Sequence, residues 1–394
     1  MKQLKLKPKK EVAVQRFHPW VFSGAVAPTD DRPADGELVE LFDHQGRFLA
    51  IGHYQEGSIS LRILTHRQEP VDQAFWLERL RNAFEYRRQL GLAEGKETDC
   101  YRLVHGEGDG LPGLIIDVYR QTAVVQCHSI GMHQAREDIA AALMGLYGQS
   151  LLAVYDKSKE SLPTQYAETV ANGYLQGSAV AEAAIVMENG HAFRVDWEGG
   201  QKTGFFLDQR DNRALVGRYA DGRKVLNAFS YSGGFSVYAL AAGALQVDSV
   251  DVSKKAIELA EQNVELNDLP AGRHRGIAAD VMHYLRHTEE RYDLMVVDPP
   301  AFAKSIKKRH TAVQAYKRLN AEALRRIEPG GLLFTFSCSQ VVDVDLFYHT
   351  IVAAAIEAGR RVRVMHRLSQ PPDHPVSLFH PEGSYLKGLA LEVE

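Results

Sequence analysis

Short alternating stretches open the chain. Glu37 to Phe42 alternates imperfectly between apolar and polar positions, Asp43-His44-Gln45-Gly46 reads as a turn, and Arg47 to Ile51 resumes the pattern. Ser58 to Leu64 alternates cleanly, so residues 1–72 predict a small β-barrel. Beyond Pro70 the period lengthens: from about Asp72 to Leu90, Trp76, Leu80, Ala83 and Phe84 share one helical face, and Gly91 is the stop. Residues 73–190 then mix helix and strand. Leu114–Tyr119 and Thr122–Gln126 form a hairpin about Arg120-Gln121, a helix runs from about Gln134 to Leu146, and Leu151–Tyr155 and Ala184–Met187 are strands.

From 191 to 394 the pattern becomes strand and helix in alternation, which predicts a mainly parallel sheet with helices on both faces. Val225-Leu226 opens a strand, and Phe235–Ala242 is a helix closed by Gly243. Val247–Val252 is the next strand, and Ser253 caps a helix that buries Ile257, Ala260 and Val264. Tyr292–Val297 is a buried strand. A helix from Val313 to Ile327 ends at Glu328-Pro329-Gly330-Gly331, ahead of the strand Leu332–Phe336. The fold class is therefore α/β, with an N-terminal barrel and a central α+β domain, divided as 1–72, 73–190 and 191–394. Ligands of such sheets bind at the carboxyl ends of the strands, so the chemistry is sought there.

The first carboxyl end reads Asn227-Ala228-Phe229-Ser230-Tyr231-Ser232-Gly233-Gly234. Glycines let the backbone turn tightly against a ligand, and the helix N-terminus behind them favours an anionic group. A nucleotide phosphate or the carboxylate of a methionine moiety would both suit. The next strand ends at Asp251, placed to accept from a ribose diol, ahead of Ser253. A third acidic residue, Asp280, stands where the following strand should end, and G-x-G-x-x-G is absent. Those two features favour a sulfonium cofactor, S-adenosylmethionine, over a dinucleotide. Asp298-Pro299-Pro300 leaves the sheet as a rigid, extended segment that can hold a carboxylate against a planar base.

Cys338 follows the buried strand in Phe336-Ser337-Cys338-Ser339. Carbon 5 of a pyrimidine is a poor nucleophile toward a methyl sulfonium, and addition of a thiolate to carbon 6 makes carbon 5 enamine-like. A buried cysteine is more often a small hydrophobe, but its place at a strand end favours chemistry. The other two cysteines, Cys100 and Cys127, read as structural. His283 and His287 have the spacing of a metal pair but lack the glutamate of H-E-x-x-H, so no metal is expected.

Charge refines this picture. The net charge is −4, against a protein that is basic throughout, yet cations cluster in three blocks. Lys2, Lys5, Lys7, Lys9 and Lys10 form one, Lys304, Lys307, Lys308, Arg309, Lys317 and Arg318 the second, and Arg360, Arg361, Arg363 and Arg367 the third. Each could neutralise phosphates or merely face solvent. No apolar run is long enough to span a bilayer and no signal-peptide pattern is present, so a cytoplasmic protein without membrane partners is expected.

Taken in order, these motifs resemble the bacterial 23S ribosomal RNA cytosine-C5 methyltransferases over nearly the whole chain. Phe17-His18-Pro19-Trp20-Val21-Phe22-Ser23-Gly24 is similar to that family's PUA domain, an RNA-binding barrel, and Arg102–Leu114 (RLVHGEGDGLPGL) to its central domain. Thr203–Arg210 (TGFFLDQR) resembles the segment that covers the cofactor, which adds Phe206 and Gln209 to the site. The resemblance implies a Rossmann-like class I methyltransferase domain, a ribosomal RNA partner, Cys338 as nucleophile and Asp298 as the hydrogen-bonding partner of the ring nitrogen. It further implies that Asn227, Phe229, Ser230, Tyr231, Ser232 and Gly233 line the methionine end, Asp251 the ribose and Asp280 the adenine. Many such enzymes carry a second cysteine directly after the Pro-Pro segment; here that residue is Ala301, which leaves the carbon-5 base without a named residue. A base-nitrogen RNA methyltransferase and a non-catalytic RNA-binding protein are the rival readings, an NAD dehydrogenase a distant one, and a homodimer is compatible with all of them.

Overall fold

The computed structural model describes residues 1–178, 184–303 and 305–394. The chain condenses into two compact units. The first contains residues 1–187, 195–207 and 372–383; the second contains 188–194, 208–371 and 384–394.

In the first unit, β1 (Lys2–Lys5), α1 (Val12–Gln15), β2 (Trp20–Phe22), β3 (Leu38–Phe42), β4 (Phe48–Tyr54) and β5 (Ile59–Thr65) build a five-stranded sheet ordered β1-β3-β4-β5-β2. Its interior is Leu4, Leu6, Val21, Val39, Leu41, Ala50 and Leu61, the inward positions of the alternation. The helix α2 (Gln73–Gln89) starts where Asp72 accepts from the amides of Ala74 and Phe75. Strands β6 (Cys100–His105), β7 (Leu114–Tyr119) and β8 (Thr122–Cys127) precede a pair of helices, α3 (Ile130–Gln134) and α4 (Arg136–Tyr147). A single helix from 134 was expected; Ser129 caps an earlier turn instead, accepting from Met132 N. β9 (Ala153–Asp156), α5 (Thr164–Ala167) and β10 (Gly173–Gln176) complete a second sheet, β10-β9-β8-β7-β6. Residues 1–72 and 73–187 thus keep a sheet each but share one compact unit, and 195–207 and 372–383, expected in the C-terminal domain, fold with it, while 188–190 fold with the second.

Buried ion pairs account for the Arg102–Leu114 motif. Arg87 is fully buried and takes both oxygens of Asp109, while Arg102 bridges to Asp117 at 2.8 and 2.9 Å. Asp117 also accepts from the Thr203 hydroxyl, and Asp373 Oδ2 accepts from Arg102 N. Each buried charge has a partner, as burial at such depth requires.

The chain passes into the second unit within β11 (Ile185–Glu188), followed by β12 (His191–Arg194). There follow α6 (Arg210–Ala220), β13 (Lys224–Ala228), α7 (Gly234–Ala241), β14 (Gln246–Asp251), α8 (Lys254–Leu266), β15 (His274–Ala278) and α9 (Val281–His287). β16 (Tyr292–Val297), α10 (Arg309–Arg326), β17 (Ile327–Ser337), α11 (Val344–Ala358), β18 (Val362–Ser369) and β19 (Lys387–Val393) complete it. The seven-stranded sheet runs β15-β14-β13-β16-β17-β19-β18, parallel except for β19, which is antiparallel to both neighbours. Pro329-Gly330 does not end the helix before a separate strand. It forms a bulge inside β17, where the register jumps from Tyr292↔Ile327 to Leu294↔Leu332. The order reverses between β13 and β16, the switch point at which sheets of this kind bind ligands.

Candidate active site

Four consecutive strands, β14, β13, β16 and β17, end on the carboxyl edge with Asp251, the Asn227–Gly233 segment, Asp298 and Cys338. Neighbouring strands lie about 4.8 Å apart, so these groups form a short row. Asp298 N donates to Ala228 O at 3.5 Å, and Ala279 N to Asp251 O at 2.9 Å, which ties successive loops together.

The loop after β13 holds an unusual backbone. Phe229, Tyr231 and Gly233 all have positive φ (63°, 43° and 74°), a cost for the two non-glycine residues that is typical of ligand-binding turns. Phe229 N and Ser230 N donate to Val250 O, and Tyr231 N donates to Asp251 Oδ2 at 3.0 Å. A Cβ on Gly233 would stand 2.7 Å from Ala260 Cβ, and one on Gly234 would stand 2.8 Å from Arg213 Cδ. Asn227 is tied beneath the loop, its amide donating to Ser236 Oγ at 2.8 Å. Its Oδ1 and the Ser230 hydroxyl are buried without hydrogen-bond partners among the described residues. Ser232 is buried, and its carbonyl accepts from Asn263.

Asp251 Oδ1 accepts from Ser253 N at 2.9 Å, while Ser253 Oγ caps α8 through Ala256 N. Asp280 is exposed and caps α9, accepting from His283 N at 2.8 Å with Oδ1. The predicted covering segment is divided: Phe206 belongs to the first unit and Gln209 to the second. Gln209 Nε2 donates to Asp298 Oδ2 at 2.9 Å and is itself held by Asn212, so the structure joins two residues that are 89 positions apart.

Burial, followed by the nearby Asp208 carboxylate, pushes the Asp298 carboxyl up to about 7, against the opposing pull of the Gln209 hydrogen bond and Arg213. A carboxyl group raised in this way can take up or release a proton near neutral pH. Cys338 is partly exposed, unlike Cys100 and Cys127, which are buried. Burial pushes the Cys127 thiol up to about 12, consistent with an inert core residue. Ser339, after the thiol, donates to Ala303 O at 2.8 Å and so binds the β17 end to the Asp298-Pro299-Pro300 exit. No cluster of metal-ligating side chains exists among the described residues.

Sequence reasoning missed two buried features. Glu188 takes Arg213 with both oxygens (2.8 and 2.7 Å) and accepts from Tyr238 OH, fixing α6 against α7. Lys387 in β19 is 6% exposed, and its Nζ donates to Ser339 O and Val342 O. A lone lysine inside the apolar run Leu386–Val393 was the available signal for it.

The strand-end row, the kinked glycine loop and its unsatisfied buried oxygens fit a cofactor with an amino-acid end and a ribose. They define the class: residues 102–386 match the model of the S-adenosylmethionine-dependent methyltransferases, and residues 4–66 match a PUA-like domain. Among curated proteins the chain is 41% identical to ribosomal RNA large subunit methyltransferase I of Salmonella arizonae, over 99% of this chain and 97% of that one. The protein of the same name from Citrobacter koseri is also 41% identical, over 98% and 97%. The chain belongs to this family. A candidate SAM-dependent methyltransferase from Streptococcus mutans has the same fold, with a TM-score of 0.84 at 24% identity over the whole of both chains. A second structure of like fold, at TM-score 0.85 and 24% identity over both whole chains, is of a candidate methyltransferase complexed with SAH. No helix among the described residues is long and apolar enough to cross a membrane.

Proposed function

We propose that the protein methylates carbon 5 of a cytosine in large-subunit ribosomal RNA through a covalent adduct on Cys338. The RNA class follows from the name its relatives carry. The observation that carries the chemistry is the pairing of two strands, one ending in a carboxyl group raised to about 7 by burial and the next in a partly exposed thiol.

S-adenosylmethionine supplies a methyl group on a sulfonium leaving group. The Cys338 thiolate adds to carbon 6 of a cytosine turned out of its stack, and the ring's electrons shift toward carbon 5 and the N3 side. Asp298 gives its proton to N3 and so stabilises the charge that develops there. After carbon 5 is methylated, its proton leaves, the carbon 5–carbon 6 double bond re-forms, and Cys338 departs as thiolate. Asp298 then recovers the N3 proton. Ala301 offers no group for the carbon-5 proton, so a water is the acceptor on this reading.

Asn227, Phe229, Ser230, Tyr231, Ser232 and Gly233 would hold the methionine end, Asp251 and Ser253 the ribose side, and Asp280 the adenine. Gln209 belongs to the same set, and the PUA-like barrel is the RNA-binding module.

Methylation of ribosomal RNA in vitro, followed by nucleoside mass mapping, tests the reading. The expected product is 5-methylcytidine, absent when Cys338→Ala is used. Full methylation by that variant would remove the adduct, and an N-methylated nucleoside would replace it with amino-group chemistry.

A further inference from the structure

Lys387 is out of place by the ordinary rules of burial. Lysine is almost never buried unless paired, yet among the described residues this one makes no ion pair with a carboxylate. Its ammonium is satisfied by two backbone carbonyls, Ser339 O at 2.7 Å and Val342 O at 2.6 Å. Both belong to the turn that begins at Cys338. The register pairs Lys387 with Ser337, the residue just before the thiol. A cation is therefore fixed one strand away from the thiol and clamps the turn that carries it.

We infer that Lys387 is the positioning residue of the Cys338 thiol: it holds the 338–342 turn in shape and supplies the positive charge that favours the thiolate. The inference rests on reading Cys338 as the nucleophile. A neighbouring ammonium lowers a thiol's affinity for its proton, which is how reactive cysteines are made. The electrostatics run both ways: burial lowers the Lys387 pKa, and the charges of Cys338 and Asp343 oppose that fall.

Among the described residues, the other ionisable groups about this turn do not supply this charge. Tyr316, on α10, is pushed up to about 12, first by burial, and is neutral at physiological pH. Asp343, ahead of α11, carries a carboxyl group that would work against a thiolate, and the Asp298 carboxyl, after β16, raised to about 7, supplies no positive charge in either form. Among the described residues, Lys387, on β19, is the cation of the set.

Alkylation of the full-length protein by iodoacetamide reads the thiol directly, because Cys100 and Cys127 are buried. Cys338→Ala sets the background. Lys387→Gln keeps a donor for the carbonyls and removes the charge. It should move the pH midpoint of alkylation upward by about one unit or more, and Lys387→Arg should restore it. Lys387→Met, a neutral side chain that suits a buried position, should move the midpoint up as well, which provides a test even if the glutamine variant does not fold. Superimposable profiles for the native protein and a folded Lys387→Gln or Lys387→Met would overturn the inference. No RNA is present in this measurement. A profile that shifts while Cys338→Ala still methylates would spare the thiol's electrostatics and sink the nucleophile reading instead.

Discussion

Two carboxyl groups in the second unit illustrate opposite uses of desolvation. Among the described residues Asp298 has no cation in hydrogen-bonding contact, only an amide, so burial and the Asp208 carboxylate raise its pKa from 3.8 to about 7. A carboxyl group raised in this way favours the folded state fully below its unfolded pKa near 4, and that contribution is lost as pH rises to about 7. Asp298→Asn should therefore melt higher than the native protein at pH 8. If Asp298 donates a proton in the reaction, the same variant should lose about 10²–10³ in kcat and also the fall in rate above pH 7. An unaltered alkaline limb would take Asp298 out of the proton-transfer role. Glu188 is the contrary case, fully paired with Arg213 and Tyr238. Glu188→Ala strands a guanidinium that is 3% exposed, and a loss of about 3–5 kcal/mol on denaturant unfolding is expected.

At the scale of elements, the loop after β13 depends on glycine for two separate reasons. Gly233 needs the left-handed backbone, and its missing Cβ also admits Ala260 of α8. Gly233→Ala should weaken S-adenosylmethionine binding by at least ~10-fold in a calorimetric titration, since the turn must open to relieve the clash. This loop was legible because a buried parallel strand reads as an apolar run and its end as a change of residue type: Asn227, Asp251 and Asp298 all stand at such changes. Other elements gave weaker signals. β18 is mostly exposed, so Val362–Ser369 shows no apolar run. α10 begins at Arg309, not Val313, because its first turn is cationic, the reverse of what a helix N-terminus favours. The bulge at Pro329-Gly330 looked like a chain break, since nothing local says that strand pairing resumes in a new register. Gln209 and Lys387 act on groups 89 and 48 positions away, and only the fold brings them there.

The three cationic blocks separate once the whole molecule is in view. In the third, Arg360 donates to backbone carbonyls, Arg363 pairs with Glu392 and Glu394, and Arg367 lies over the Tyr348 ring. That block holds the β18 edge together. In the first, Lys2 pairs with Asp31 and Lys7 donates to Gly24 O. In the second, Lys317 pairs with Glu357, and Lys304 lies outside the described residues. Lys307, Lys308 and Arg309 are exposed at the start of α10 with no ion pair among the described residues, where the helix dipole opposes them. They also follow within a few residues the Asp298-Pro299-Pro300 exit, which Ser339 binds to the Cys338 turn through Ala303 O. If RNA is the substrate, phosphates flanking the target base offer these cations the partner that the protein withholds. Replacing all three with glutamine should leave thermal stability unchanged or slightly higher, because an unfavourable charge–dipole interaction goes. The slope of log K against log salt for a single-stranded RNA should become shallower by about 2, at roughly 0.7 for each phosphate that the variant no longer neutralises. Arg81→Gln/Lys96→Gln, which removes exposed cations from the first unit, is the comparison: an equal change there would assign the effect to overall charge and not to this patch.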